Sequence, residues 1–287
     1  MNIRKILLPV DFPHPVLRVI HQAAMLAGHF HAEIVLLHVA TKESEAAGVP
    51  KEGMELGGWD MVAEILREAQ KKGDGSLGTE LNGLTIRRLL IRGDTTEGIL
   101  QTAGQEKADL VMMPSHGPAF DRFLVSSVTP KMVEGIECPV WNDSQVEESQ
   151  VGKFAIGNVL CAVDFKKHSH RSAVWAARIA AEFDARLTLA HVTAGVEFWG
   201  PGGRYVNQEW KAALVGDASR RMAELLRETG IQAEVFIGSG HVPKVLNQAA
   251  QQTRADLLVT GCQPYGGYLR THGYAIITEM SIPVLSV

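Results

Sequence analysis

The sequence repeats itself, and this repeat constrains the fold more than any other feature. When the chain is shifted by 153 residues, residues 3–39 fall on residues 156–192 without a gap, and 14 of these 37 positions are identical. The match resumes further on, where Ala108-Asp109-Leu110 corresponds to Ala255-Asp256-Leu257. A repeat of this length is a whole domain rather than a short motif. The sequence therefore predicts a first domain at 1–143, a polar linker at 144–153 and a second domain at 154–287.

Each copy alternates short apolar runs with stretches of helical periodicity. Residues 3–10 form a continuous apolar run that ends at Asp11, which is typical of a strand buried on both faces. A helical stretch follows, and a later helix is expected to be capped by Thr95 or Thr96. This alternation predicts a flavodoxin-like α/β domain, in which a five-stranded parallel sheet carries helices on both faces. The strands are expected near 3–10, 32–39, 84–91, 109–113 and 139–141, and near 157–163, 185–192, 231–237, 256–260 and 283–286.

Composition excludes several classes of protein. The net charge of −4 and the scattered basic residues provide no footprint for nucleic acid. None of the three cysteines has a Cys-x-x-Cys spacing, so a disulfide framework is not expected. No apolar stretch approaches the length of a membrane span, and the N-terminus does not resemble a signal peptide. The expectation is a cytoplasmic protein that contacts neither nucleic acid nor membrane.

A ligand is expected at the sheet edge where the strands end. In open parallel sheets, ligands bind beyond the carboxyl ends of the strands, where the strand order reverses. We expect the first and fourth strands of each domain to meet at that point. The loops concerned begin at Asp11 and at Pro114 in the first domain, and at Asp164 and Gly261 in the second. Each Asp either caps its own turn or contacts a ligand.

These loops resemble those of universal stress proteins. ATP-binding members of that family carry Gly-x2-Gly-x9-Gly-Ser/Thr after a strand, and an Asp near the end of their first strand. Cys138-Pro139-Val140 is similar to the family's segment before the last strand. The resemblance covers nearly the whole chain twice, as in an E-type-like tandem member. It implies a fold similar to that of the adenine nucleotide α-hydrolases, and ATP or a related adenine nucleotide as ligand, with Mg²⁺ accompanying it.

The resemblance also implies which residues bind the ligand. Glycines there let backbone N–H groups approach phosphates, and the Ser/Thr begins a helix whose N-terminus favours anions. In the first domain the implied ligand-binding residues are Pro9, Val10, Asp11, Phe12, Val39, Met113, Ser115, His116, Gly117, Ser126, Ser127, Val128 and Thr129. In the second domain they are Val163, Asp164, Phe165, Val192, Gly261, Cys262, Gly273 and Tyr274.

Both copies depart from the family's phosphate motif. In the first domain, Pro114 and Ser126 stand where the first and third glycines belong. In the second domain, Pro264 replaces the middle glycine and Tyr274 replaces the Ser/Thr. A proline removes a backbone N–H that a phosphate would need. We therefore expect the better nucleotide site in the first domain.

Other features admit two interpretations. His38 and His191 recur at the end of the second strand, where a structural role is the default and a ligand role the alternative. Cys262, His168, His170 and His272 lie on loops at one sheet edge, but their spacing matches no compact metal motif, so no metal site is predicted.

The function predicted from the sequence is a stress-response protein that binds an adenine nucleotide or another small ligand without conventional catalysis. No Walker motif, Rossmann motif or nucleophile elbow is present. An interaction scaffold that binds no nucleotide is the alternative, and a slow ATPase using Asp11 and His116 is a further one. The resemblance implies that the two domains form an intramolecular pseudo-dimer, and the tandem chain could itself form a homodimer.

Overall fold

The chain forms two compact units, which are described separately. The computed structural model describes residues 1–10, 17–41, 84–113, 136–143, 154–166, 168–195, 197–200, 203–261 and 269–287. The first domain lies within Asn2–Phe154, and the second spans Ala155–Val287. None of the helices in these described ranges is long and apolar enough to cross a membrane.

The first domain alternates strands and helices as expected. Its sheet strands run in the order β3-β2-β1-β4-β5, and every adjacent pair is parallel. The first and fourth strands therefore meet at the point where the strand order reverses, as the sequence predicted. The described elements are β1 (Lys5–Pro9), α1 (Leu17–Phe30), β2 (Glu33–Ala40), β3 (Ile86–Arg92), α2 (Thr95–Glu106), β4 (Leu110–Met113) and β5 (Val140–Asn142).

The second domain repeats this arrangement, with the strand order β10-β7-β6-β11-β12 and parallel pairing throughout. It also contains an antiparallel hairpin in the connection around 194–210, and a long helix follows that hairpin. The elements are β6 (Asn158–Ala162), α3 (Ser169–Glu182), β7 (Arg186–Thr193), β8 (Glu197–Gly200), β9 (Gly203–Val206), α4 (Gln208–Thr229), β10 (Glu234–Ser239), α5 (Val242–Thr253), β11 (Leu257–Thr260), α6 (Leu269–Glu279) and β12 (Val284–Ser286).

Strands β1 and β2 of the first sheet are buried along most of their length, which explains why their sequences are almost continuously apolar. Leu37 of β2 belongs to a buried cluster with Ile99 and Ala103 of α2. Its neighbours Ile34 and Leu36 are also fully buried, and successive side chains of a strand point to opposite faces. A strand covered on both sides cannot show the alternation of a half-exposed strand.

One repeated aspartate fixes the start of the first strand in both domains. The Oδ2 atom of Asp109 accepts hydrogen bonds from the backbone N–H groups of Arg4 and Lys5, at 2.8 and 3.0 Å. The Oδ2 atom of Asp256 accepts from Gly157 and Asn158, at 2.8 and 2.9 Å. The repeated Ala-Asp-Leu sequence is therefore a structural fixture that joins the fourth strand to the first.

The cap of α2 differs from the expectation. The helix begins at Thr95, and Asp94 is the N-cap, because its Oδ1 atom accepts a hydrogen bond of 2.9 Å from the N–H of Glu97. Neither Thr95 nor Thr96 caps the helix. Aspartate is as good a cap as threonine, and the residue three positions later is a Glu, as is common at helix starts.

Candidate functional site

A cavity of about 450 Å³ opens at the carboxyl ends of the second domain's strands. It lies where β6 and β11 meet, at the reversal of the strand order, and β7 borders it on the other side. Its surface is mostly apolar. Position, size and polarity match those of small-molecule sites in open α/β sheets.

The floor of the cavity is one row of residues across three strands. Ala162 of β6 is paired with Ala190 of β7 and with Thr260 of β11. All three line the cavity, together with Val192. Thr260 is only 6% exposed. This row is called the strand floor below.

Two helices form the wall opposite the strand floor. The first turns of α5 contribute Val242 and Leu246, and α6 contributes Ile276. The chain enters α5 through Gly240, whose φ of +128° is a conformation that side-chain-bearing residues rarely adopt. His241 is the N-cap of α5, but its side chain makes no capping hydrogen bond. The backbone N–H groups of this helix start therefore lack the side-chain cap that Asp94 provides in the first domain.

Asp164 lies at the rim, and its hydrogen bonds fix the loop that leads into α3. Its Oδ1 atom accepts from the N–H of Lys166 at 2.9 Å and from the hydroxyl of Ser169 at 2.8 Å. The hydroxyl oxygen of Ser169 in turn accepts from the N–H of Asp164 at 3.0 Å. The structural interpretation of this residue, a strand-ending acid that closes its own turn, is therefore confirmed. The Oδ2 atom is 3.7 Å from the Lys166 ammonium group.

The recurring histidines also have a structural role. Nδ1 of His191 donates a hydrogen bond of 2.8 Å to the carbonyl oxygen of Val163, and Nδ1 of His38 makes the same bond to Val10 at 3.0 Å. A carbonyl oxygen can only accept, so Nδ1 carries the proton in both rings. Burial lowers the pKa of His191. The imidazole of His191, which also lines the cavity, is therefore neutral at neutral pH.

Phe165 is held in a left-handed backbone conformation beside the cavity. Its φ is +57°, an unusual value for a bulky residue. The centroid of the phenyl ring lies 4.3 Å from that of the His191 ring. The guanidinium carbon of Arg221, a residue of α4, lies 4.6 Å from the phenyl centroid. Arg221 also donates a hydrogen bond to the Phe165 carbonyl oxygen at 3.2 Å. Stacking and this bond together offset the conformational strain.

The described cysteines are unreactive. Burial raises the pKa of Cys138 to about 11 and that of Cys161 to about 12, so both stay protonated thiols at neutral pH. In the described ranges, no group of three or more His, Cys, Asp or Glu residues is arranged to hold a metal ion. Cys262 and the side chain of His272 fall outside what the structure describes.

The structure describes four of the residues predicted for the first-domain site. Pro9 ends β1, the N–H of Val10 donates to the carbonyl of Leu37 at 2.8 Å, Val39 is partly buried on β2, and Met113 ends β4. The remaining predicted residues lie outside the described ranges and stay predictions: Asp11, Phe12, Ser115, His116, Gly117, Ser126, Ser127, Val128 and Thr129.

In the second domain, Val163, Asp164, Val192 and Gly261 line the cavity. Helix α6 begins at Leu269, whereas the sequence placed Gly273 and Tyr274 at the start of that helix. The N–H of Gly273 thus belongs to the fifth residue of α6, beyond the four N–H groups that a helix start leaves unpaired. Of Tyr274 only the backbone is described, and Cys262 lies outside the described ranges.

The strand floor and the α5 wall were not predicted from the sequence. Ala190 and Thr260 carry no catalytic group, so a search for chemical motifs passes over them. A comparison between the halves would have found them, because Leu37 and Met113 occupy the same positions in the first domain. The same comparison would have drawn attention to His241, because its counterpart in the first domain is Asp94.

Comparison with known proteins places both halves in one family. The model of the universal stress protein family matches residues 2–141 and again residues 155–287. A universal stress protein of Methanocaldococcus jannaschii is 28% identical over 140 residues, which cover 48% of this chain and 79% of that protein.

Solved structures extend the similarity to the whole chain. A universal stress protein from Archaeoglobus fulgidus aligns over 99% of this chain and 96% of its own, with a TM-score of 0.66 and 18% identity. The cytoplasmic domain of a prokaryotic cation chloride cotransporter aligns over 99% and 94%, with a TM-score of 0.52 and 12% identity. At such identities, the structures show a shared fold alone. The repeated family match shows more: the chain belongs to the universal stress protein family and carries two of its domains in tandem.

Proposed function

We propose that this universal stress protein binds ATP or a related adenine nucleotide as a regulatory ligand, without conventional catalysis. The observation that carries the proposal is the cavity of about 450 Å³ at the strand-order reversal of the second domain. Ligand cavities usually measure about 300–1,000 Å³ and combine apolar walls with a few polar groups. The cavity has this composition, with Thr260, His191 and Asp164 among its polar residues.

Proposed contacts follow from the geometry of the second domain. The cavity's apolar walls at Val192 and Leu246 suit the flat faces of a base. The Lys166 ammonium group and the uncapped start of α5 supply positive charge and N–H donors, which suit an anionic substituent. Mg²⁺ would accompany a bound triphosphate, since this ion is usually held by phosphates and few carboxylates.

The first domain remains a second proposed site. Its retained Ser115, His116, Gly117 and Ser127 support phosphate binding on sequence grounds. The second-domain cavity is lined by described residues, whereas the first-domain loop that carries these residues lies outside the described ranges. The number of ligands bound per chain distinguishes the two cases. Binding in both domains predicts two sites per chain, and binding in the second domain alone predicts one.

Thermal unfolding of the full chain with and without ATP tests the proposal. A ligand present at a hundred times its Kd stabilises the domain that binds it by about 2.7 kcal/mol. We expect such a shift with millimolar ATP, a binding stoichiometry of one or two by titration calorimetry, and no release of phosphate above the uncatalysed rate. GTP at equal concentration and magnesium is the control for non-specific phosphate binding.

A flat response to ATP, AMP and adenosine would instead favour an interaction scaffold. The glycines replaced by Pro114 and Pro264 support this second candidate, because each proline removes an N–H donor from the phosphate loop. A steady release of phosphate that depends on Asp11 and His116 would favour the third candidate, a slow ATPase.

A further inference from the structure

Phe165 stands between two residues that line the second-domain cavity, but it does not line the cavity itself. Its neighbours in the chain, Asp164 and Lys166, are both lining residues. The phenyl ring of Phe165 lies instead beside the rings and charges of His191 and Arg221. The backbone conformation of Phe165 therefore decides how the two lining residues on either side of it are placed.

The turn at Phe165 allows Asp164 and Lys166 to bond to each other. The N–H of Lys166 donates to Oδ1 of Asp164 at 2.9 Å, which closes an Asx turn over Phe165. The φ of +57° at Phe165 is a left-handed conformation, which glycine and asparagine adopt readily and a bulky residue does not. Such a conformation persists only where surrounding contacts hold it. The shape of the cavity rim thus depends on what holds Phe165.

The ring of Phe165 is held between β7 and α4. On the β7 side, the ring of His191 is fixed by the hydrogen bond from its Nδ1 atom to the carbonyl of Val163. On the α4 side, the guanidinium carbon of Arg221 lies 4.6 Å from the phenyl centroid. The same guanidinium group donates to the Phe165 carbonyl oxygen at 3.2 Å. Arg221 therefore contacts both the side chain and the backbone of the residue in the left-handed conformation.

Arg221 extends from an anchored part of α4. Met222, the next residue in the chain, is 0% exposed, so the helix is fixed to the domain at this point. The neighbouring Arg220 carries the same charge but hydrogen-bonds Asp217 on the same helix. Two adjacent arginines of α4 thus have different partners, and only Arg221 reaches Phe165.

We propose that Arg221 is a positioning residue of the second-domain site: it holds Phe165 in the left-handed conformation and so keeps Asp164 and Lys166 at the cavity. Arg221 is not a lining residue, so it acts on the ligand through this loop. The inference rests on the proposed binding function. It adds that α4, which contributes none of the described lining residues, helps to set the affinity for the ligand.

Arg221→Met tests the inference, with Arg220→Met as the matched control. ATP is titrated into the full chain and the NMR signal of the Lys166 amide is followed, so that binding to the second domain is measured separately. Arg221→Met keeps the aliphatic stem and removes both contacts to Phe165, so affinity should fall about three- to tenfold. Arg220→Met removes the same charge one residue away and should change affinity less than about twofold.

The ligand-free chain gives a second readout. The Lys166 N–H is protected by its hydrogen bond to Asp164, so its exchange with water, measured by NMR, should be faster in Arg221→Met and unchanged in Arg220→Met.

A third variant isolates the role of the backbone conformation. Glycine adopts a positive φ without steric cost, so in Phe165→Gly the turn no longer needs to be held. Adding Arg221→Met to Phe165→Gly should therefore lower ATP affinity by less than about twofold. Phe165→Asn, which also tolerates this conformation, takes the place of the glycine variant if that variant does not fold.

Several outcomes would overturn the inference and leave nucleotide binding intact. Equal losses in Arg221→Met and Arg220→Met would show that charge alone attracts the ligand. Unchanged affinity in Arg221→Met would show that the loop holds its own conformation, and a full loss in the Phe165→Gly background would show that Arg221 acts by another route. ATP binding that leaves the Lys166 signal unmoved would place the ligand in the first domain only. A wild-type chain that binds no ATP would overturn the proposed function, and the inference with it.

Discussion

The two domains share their framework and differ in the layer beside it. In both, an aspartate of the fourth strand holds the start of the first strand, and a histidine of the second strand donates to the carbonyl at the first strand's end. The described side chains between the strand ends and the following helix differ. Leu37 and Met113 of the first domain lie in a buried cluster with Ile99, whereas Ala190 and Thr260 of the second line a cavity. The two domains thus share the contacts that set strand register and differ in the size of the side chains beside the strand ends.

At one place in the fold, the first domain has a buried apolar cluster and the second has smaller side chains that line a cavity. Apolar contacts are individually weak and add up only where atoms fill the space. The second domain forgoes such contacts around Leu246, and the first retains them around Ile99. Three comparisons of matched variants measure how far equivalent residues of the two domains differ in their contribution to stability.

The largest expected effect comes from truncating the helix residue that faces each strand floor. Ile99 and Leu246 are 0% and 1% exposed, but Leu246 borders the cavity and Ile99 does not border a described one. Truncation of a buried aliphatic residue costs about 2–5 kcal/mol, depending on how many contacts are lost. We expect Ile99→Ala to fall near the upper end of that range and Leu246→Ala near the lower end.

Hydrogen exchange measured by mass spectrometry on peptides from β2 and β7 reports the two domains separately. Each variant should raise exchange in its own domain, and Ala176→Gly in α3 provides a second-domain control away from the cavity. Equal losses for Ile99→Ala and Leu246→Ala would show that the second domain is packed as tightly as the first, which contradicts the comparison.

Much of the framework follows from the sequence, because burial on both faces leaves a signal that one chain reveals. The apolar runs at 3–10 and 32–39 agree with β1 and β2 to within two residues at each end, and the adjacency of the first and fourth strands was confirmed. Because the sequence repeats, each apolar run was seen at equivalent positions in both halves, which supported its assignment as a strand. Where local competition decides, prediction was weaker: Asp94 rather than a threonine caps α2, and the β8–β9 hairpin was missed.

The site was less predictable, because a cavity is defined by what its residues lack. Asp164 and His191 attract notice as chemical groups, yet in the structure they close a turn and join two strands. Ala190 becomes meaningful only through three-strand pairing, which aligns it with Ala162 and Thr260. Such a row is invisible in the linear sequence until the register is known.

The second comparison concerns the helix starts that follow the third strand of each sheet. Asp94 caps α2 through the N–H of Glu97, whereas His241 makes no such bond at the start of α5. Asp94→Ala should cost about 1 kcal/mol of stability in the first domain, and His241→Ala only a few tenths in the second. His241→Asp should stabilise the second domain by about 0.5–1 kcal/mol, because a carboxylate caps the N–H groups and suits the helix dipole.

Urea denaturation followed by domain-resolved hydrogen exchange gives these differences, with Asp94→Asn as the control that retains a capping oxygen. The stabilised His241→Asp variant should also bind ATP more weakly than wild type, since the new charge lies at the cavity. A loss for His241→Ala as large as that for Asp94→Ala would mean that the histidine caps α5 in solution.

The smallest expected effect concerns the charged side chains at the opposite edge of the sheets, where the strands begin. In the first domain, the Arg87 guanidinium hydrogen-bonds Glu106 and also Glu33, the latter at 3.1 Å, and Lys5 lies 3.0 Å from Glu106. At the equivalent second-domain positions, Arg186 donates a hydrogen bond of 2.9 Å to Asn158. The charge signs of the strand pair are reversed there, since Arg186 and Glu234 stand for Glu33 and Arg87.

This network predicts an acid sensitivity confined to the first domain. The hydrogen bond from Arg87, and then that from Lys5, lowers the pKa of Glu106 below its ordinary value of 4.5. Because the folded-state pKa is the lower one, the stabilisation is complete well above pH 4.5 and is lost as the pH falls from there through the folded-state pKa. Arg87→Met should cost up to about 1 kcal/mol at pH 7, since these partly exposed charges are screened by solvent. The variant should differ less from wild type as the pH falls below 4.5, and less in high salt. Arg186→Met is the matched control and should show no such pH dependence, because its partner Asn158 does not titrate. An Arg87→Met penalty that is the same at pH 7 and pH 3.5 would assign the role of Arg87 to packing of its aliphatic stem rather than to its charge.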